Sequence, residues 1–228
     1  MANVDVSGFA QFSDGTSVPL FNDAMPEGTL TSLQTSATYT VAAQDLGNYA
    51  PGKRLVSLYA YAENNAAYVY VLRQGLPIFF GSAGKSGVMS YGNKMFPKSV
   101  VLQPGDTVQC LALTAGDRTC TFIAHCTDGT QRAFVTATPP SGAATTNLTD
   151  SITGNSIGDT LQGKQISMAM ALSVDGTKIT SGGVVVLNAK GSVVGVLGVG
   201  SPIESQVCFS PFNTRIGLNF VAQIVTDA

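Results

Sequence analysis

Between positions 54 and 138 the chain alternates apolar and polar residues with a period of two, the mark of half-buried β-strands. "RLVSLYAYAENNAAYVYVLRQG" reads as two strands turned at Asn64-Asn65. "LPIFFG" reads as a short strand. Four more are predicted near 99–103, 107–114, 119–126 and 131–138. Their separators, Pro104-Gly105-Asp106, Ala115-Gly116-Asp117 and Asp128-Gly129, are turn chemistry, because glycine accepts positive φ and Asp caps its own turn. Beyond residue 163, "KQISMAMALSVDGTKIT", "GGVVVLNAKGSVVGVLGV" and "RIGLNFVAQIVTD" supply four or five more strands, with a hairpin around Ala189-Lys190-Gly191. Helical periodicity is scarce. "YTVAAQDLGNY" alone allows a turn or two of helix, ended by Gly47 and Pro51.

The fold class expected is all-β, an antiparallel β-sandwich or jelly-roll-like barrel, as two small β domains with an extended N-terminal arm, the alternative being a single sandwich with a long excursion between its sheets. The divisions are 1–50 (arm and short strands), 51–138 (first β domain), 139–163 (a linker or long loop rich in Pro, Ser, Thr, Gly and Asn) and 164–228 (second β domain). "DGT" occurs at 14, 128 and 175. The unequal intervals read as shared turn chemistry rather than an internal repeat.

Composition changes the functional picture. Charged residues are 11% of the 228, against about 25% in an average soluble domain. The formal net charge is −2 and no basic run exists, which argues against nucleic-acid binding. No apolar run reaches the ~20 residues of a membrane helix, and "MANVDVSGFAQF" does not read as a signal peptide. A weakly charged surface favours association, with other copies or with a partner.

Candidate chemistry is sparse. "GSAGKSG" lacks the first glycine of a phosphate loop, since Phe79 stands there. Lys85, Lys94 and Lys98 are the cations of the glycine-rich loop it opens, and Lys85 and Lys94 are candidate contact residues. No G-x-S-x-G turn is present, and most acids fall in turns, so no catalytic residue, metal ligand or cofactor is assigned. Tyr59, Tyr61, Tyr68 and Tyr70 alternate on the two strands of the predicted hairpin. They form an aromatic patch, read as core packing or as a contact surface. "CTFIAHC", 120–126, holds the only histidine. In a strand its two cysteines lie roughly 20 Å apart at ~3.3 Å per residue, too far for one zinc or one disulfide. Cys110 on the preceding strand meets Cys120 in some registers. The cysteines read as small buried hydrophobes. His125 points away from them, toward solvent or an interface, where its protonation would make assembly pH-dependent.

The segments "SLYAYAENNAAYVYVLRQGLP", "LQPGDTVQ", "DGTQRAFVTATP" and "LNFVAQIVTDA" resemble β-rich head decoration (cement) proteins of tailed bacteriophages, across 54–138 and 164–228. The resemblance implies a non-enzymatic structural protein of the virion, made in the host cytoplasm, binding a capsid lattice as a homo-oligomer, a trimer in the first instance. The L-x-x-G-D-x-V pattern is similar to jelly-roll modules of the TNF type. Two alternatives therefore stand beside it, a carbohydrate- or receptor-binding module such as a fibre tip, and a single jelly-roll major capsid protein.

Overall fold

The computed structural model describes residues 3–26, 29–35, 43–62, 66–85, 88–91, 99–113, 120–136, 144–173, 182–199 and 208–226. It is nearly all β and divides into two compact units, Met1–Ala115 and Gly116–Ala228.

The first unit holds β1 (Asn3–Phe12), β2 (Ser17–Pro26), β3 (Leu30–Thr35), α1 (Leu46–Tyr49), β4 (Arg54–Ala62), β5 (Ala66–Arg73), β6 (Leu76–Lys85), β7 (Val88–Tyr91), β8 (Val100–Val101) and β9 (Thr107–Leu113). Its nine strands run in the order β7-β6-β5-β9-β3-β2-β1-β4-β8, all pairs antiparallel. The order β4-β1-β2-β3 is a Greek key, with α1 in the long return connection. Alternation sets the layers. Val6, Ala10 and Phe12 of β1 join Leu20, Leu33, Leu58, Val69, Val71 and Val108 in one core, while Asp5, Phe9 and Gln11 face outward.

The second unit holds β10 (Cys120–Cys126), β11 (Gln131–Thr136), β12 (Ala144–Asp150), α2 (Ile157–Leu161), β13 (Gln165–Ser173), β14 (Gly182–Leu187), β15 (Val193–Val199), β16 (Cys208–Arg215) and β17 (Val221–Thr226). The sheet order is β15-β14-β17-β12-β11-β10-β13-β16. Replace β10, β11, β12, β13, β14, β15, β16 and β17 by β1, β2, β3, β4, β5, β6, β8 and β9, and the two orders coincide, β7 aside. Its core gathers Phe122, Ala124, Phe134, Leu148, Ile166, Val184, Phe212 and Ile224.

The agreement extends to single residues. "FAQFSDGT" at 9–16 and "IAHCTDGT" at 123–130 lie 114 residues apart, and "LGNYAPGKRL" at 46–55 matches "IGDTLQGKQI" at 157–166. Gly15 and Gly129 both have φ +83°, and Gly52 and Gly163 have +80° and +78°. In the first unit Lys53 Nζ donates to Thr16 Oγ1 (2.7 Å) and pairs with Asp14 (3.1 Å). In the second Lys164 Nζ donates to Thr130 Oγ1 (2.8 Å) and pairs with Asp128 (2.6 Å). The chain is thus one β unit occurring twice. The 114-residue interval between the first two "DGT" turns is the repeat, and the third "DGT" falls outside the described residues.

The duplicated clasp makes a prediction. Asp14 is held down to about 2, first by the Thr16 hydroxyl, then by the Thr16 N–H, then by Lys53. Asp128 is also held down to about 2, but first by Lys164. An NMR titration is therefore expected to show Thr16→Val raising Asp14, and Lys164→Met raising Asp128, toward the ordinary carboxylate value near 3.8. Variants that leave both midpoints in place would contradict the assignment.

Where the clasps agree, the entry to the last strand differs. Arg73 donates from Nε (2.8 Å) and Nη2 (2.7 Å) to the buried Asp106 carboxylate, which also accepts Gln103 N–H (2.7 Å). The equivalent of Asp106 is Phe220, packed on the second core. An apolar ring replaces the ion pair at the same backbone position.

Several sequence expectations are corrected. Residues 3–35 are no arm but three sheet strands, because Val6, Ala10, Val18, Leu20 and Leu33 bury one face. The 139–163 stretch carries β12 and α2, which packs Ile157 and Leu161 into the core beneath its Ser156 cap. The unit boundary lies at Ala115/Gly116, so the four-strand run of 99–138 is split between two sheets. Gly47 lies inside α1 rather than ending it. The β14–β15 hairpin around residues 189–191 forms as read.

Candidate functional site

The predicted tyrosine hairpin does not form. β4 pairs with β1 and β8, β5 with β6 and β9, and β4 and β5 share no hydrogen-bonded ladder. A short connection usually joins paired strands, but here β1 and β9 already occupy the edges that β4 and β5 would offer each other. The tyrosines consequently part. Tyr70 is fully buried, its hydroxyl pKa pushed well up by that burial. Tyr59 is half-buried on the outer face of β4. Tyr61 and Tyr68 lie on β4 and β5, with side chains outside the described residues.

Tyr59 finds a partner the tyrosine pattern did not name. β1 pairs with β4 so that Phe9 stands directly opposite Tyr59, and Gln11 opposite Ser57. On the other side β2 places Ser17 opposite Gln11. Phe9 and Tyr59 stack with ring centroids 6.2 Å apart and planes 22° from parallel. Phe9, Gln11, Ser17, Ser57 and Tyr59 line an open groove of about 310 Å³. Phe9 is 55% exposed. The groove offers two aromatic rings with one side-chain amide, two serine hydroxyls and the Tyr59 hydroxyl, and no charged group among its five residues. It can stack a flat apolar surface and hydrogen-bond at the margin, but it presents no acid–base pair and no nucleophile beside a base.

The same rows in the second repeat are built differently. Ile123 faces Met170, and His125 lies between Gln131 of β11 and Met168 of β13. Ile123, His125 and Met170 are buried, although they belong to the face turned away from the core of Phe122, Ala124 and Cys126. The expectation of a solvent- or interface-facing His125 is therefore corrected. Residues 122–126 of β10 are buried on both faces. Burial pushes the His125 imidazole down to about 3, so it does not titrate near neutral pH.

Cys110 and Cys126 are free and buried. Burial raises both thiols, Cys126 to about 11, which leaves them unreactive. Cys110 sits on β9, which pairs with β3 and β5, so no register brings it beside Cys120 of β10 in a ladder. The side chain of Cys120 lies outside the described residues, as do that of Lys85 and the whole of Lys94. The glycine-rich stretch is in part strand, since β6 runs through Lys85 and pairs with β7. Among the described residues no group of three His, Cys, Asp or Glu side chains is placed to hold a metal. No helix there is long and apolar enough to cross a membrane.

Comparison with protein-family models, with curated proteins and with solved structures gives no match to this chain. The repeat is the one internal comparison it offers. That comparison singles out Phe9, Gln11, Ser17 and Ser57, which composition and motif reading passed over. For Phe9 and Gln11 the signal is in the sequence, as "FAQFSDGT" aligned on "IAHCTDGT".

Proposed function

We propose that the chain is a structural protein of a tailed-phage virion that binds and stabilises the capsid as an oligomeric decoration, or cement, protein. The observation that supports this most is surface character. Phe9, Ile152, Val193, Val196 and Leu218 are each more than half exposed, on a chain with only 11% charged residues. A surface with so little charge and these exposed apolar side chains favours association. Co-expression with the shell protein of the same genome tests the reading. The chain is expected to sediment with the shells and to raise their disruption temperature. A chain left in the supernatant, with shells unchanged, would refute it. Shells formed by the chain alone would turn the reading to a capsid protein.

A second reading, a carbohydrate-binding module, is favoured by the Phe9–Tyr59 stack with its amide and hydroxyl rim. It requires glycan binding that Tyr59→Ala abolishes. A glycan array without hits removes it.

A further inference from the structure

The two repeats leave opposite outer faces open. In the first, Tyr70, Leu72 and Leu111 on the outer face of β5 and β9 are 0%, 3% and 0% exposed and lie outside the unit's main core. Register assigns their equivalents. Tyr70 pairs with Gln109 as Val185 pairs with Gln223, which makes Val185, Leu187 and Val225 the matching positions. There the face is open. Val185 and Leu187 are half-buried, Val225 is exposed, and Val196 of the adjoining β15 is 60% exposed.

On the other flank the pattern reverses. Ile123, His125 and Met170 are 2%, 0% and 1% exposed in the second repeat. Their equivalents in the first are Phe9, Gln11 and Tyr59, the groove described above. Each kind of face is therefore covered in one repeat and open in the other.

We infer that the two open faces cover each other between copies: the β14–β15–β17 face of one chain seats on the β1–β4 groove of the next. A second copy is the occupant because one fold carries both faces, and each is already built to be covered where it recurs. The polarity also matches. Valines answer a Phe–Tyr floor, Gln223 answers a rim of Gln11, Ser17 and Ser57 in kind, and none of these positions is charged. The contact joins unlike surfaces, so it is heterologous and propagates head to tail, closing into a ring or extending as a filament. It requires no capsid, and it competes with a glycan for the β1–β4 groove.

Sedimentation of the full chain tests it with two variants, Phe9→Lys and Val196→Lys. Wild type is expected as a multimer and each variant alone as a monomer. An equimolar mixture is expected to recover a dimer and nothing larger, because each variant retains the face the other has lost. If circular dichroism shows either variant unfolded, Gln11→Lys or Val225→Lys takes its place. Wild type that stays monomeric through the micromolar range, variants that still associate, or a mixture that stays monomeric would each overturn the inference. A monomer that gains mass only with a glycan or a capsid shell assigns the faces to that occupant and overturns it too.

Discussion

Between pH 7 and pH 5 the wild-type chain is expected to lose about 2 kcal/mol of stability that His125→Gln retains. His125 is buried between Gln131 and Met168, and burial lowers its folded-state pKa from 6.5 to about 3. Below 6.5 the unfolded chain binds a proton that the folded chain refuses. Stability therefore falls as pH drops through 6.5, at about 1.4 kcal/mol per pH unit, and the loss levels off near 3. The clasp carboxylates Asp14 and Asp128 work in another window. Their depressed pKa values add stability above about 3.8 that is lost only toward 2. Glutamine is the residue the first repeat carries at this position, as Gln11. Urea unfolding of both proteins at the two pH values measures the difference. Equal slopes would mean that His125 does not resist protonation in the fold.

Gly47→Ala and Gly158→Ala are each expected to cost about 3 kcal/mol or more. In an exposed helix the same change would stabilise by up to ~1 kcal/mol. Here α1 and α2 press against the backbone that enters the last strand of their unit. Gly47 N–H donates to Asp106 O (3.0 Å), and Gly158 N–H to Phe220 O (2.9 Å). A methyl group at Gly47 would meet Gln103 O at 2.2 Å and Asp106 N at 2.7 Å. At Gly158 it would meet Phe220 N at 2.4 Å. These are main-chain atoms that cannot swing aside. Gly52→Ala is the control, since its φ of +80° imposes strain but its Cβ would enter open space, so ~1–2 kcal/mol is expected. Urea midpoints that rank Gly52→Ala as the worst of the three would contradict the close helix–strand seat.

The strands were legible because their burial is periodic. Val6, Ala10 and Phe12, or Phe122, Ala124 and Cys126, point one way, and Asp-Gly turns mark their ends. Pairing was less legible, because alternation fixes which face is buried but not which strand lies alongside. β4 and β5 read as a hairpin, yet each completes its ladder with strands far away in sequence, β1 and β9. Short strands also hid. Asn147 and Leu148 lie in a polar stretch that resembles a linker, although Leu148 is core. The groove is not legible from the tyrosine pattern, because Phe9 and Gln11 lie on β1, in a turn-rich stretch that reads as an arm. The face of His125 was misjudged because alternation assumes that one side of a strand meets water, and residues 122–126 of β10 are buried on both.

Light scattering of the wild-type chain across concentration and salt measures most directly whether this is a self-associating structural protein. The mass is expected to rise with concentration to a multiple of the monomer. It is also expected to hold between low and high salt, because the joining faces are apolar and uncharged and offer no Coulomb attraction to screen. A constant monomer mass under all conditions would contradict it, and so would an assembly that salt dissolves.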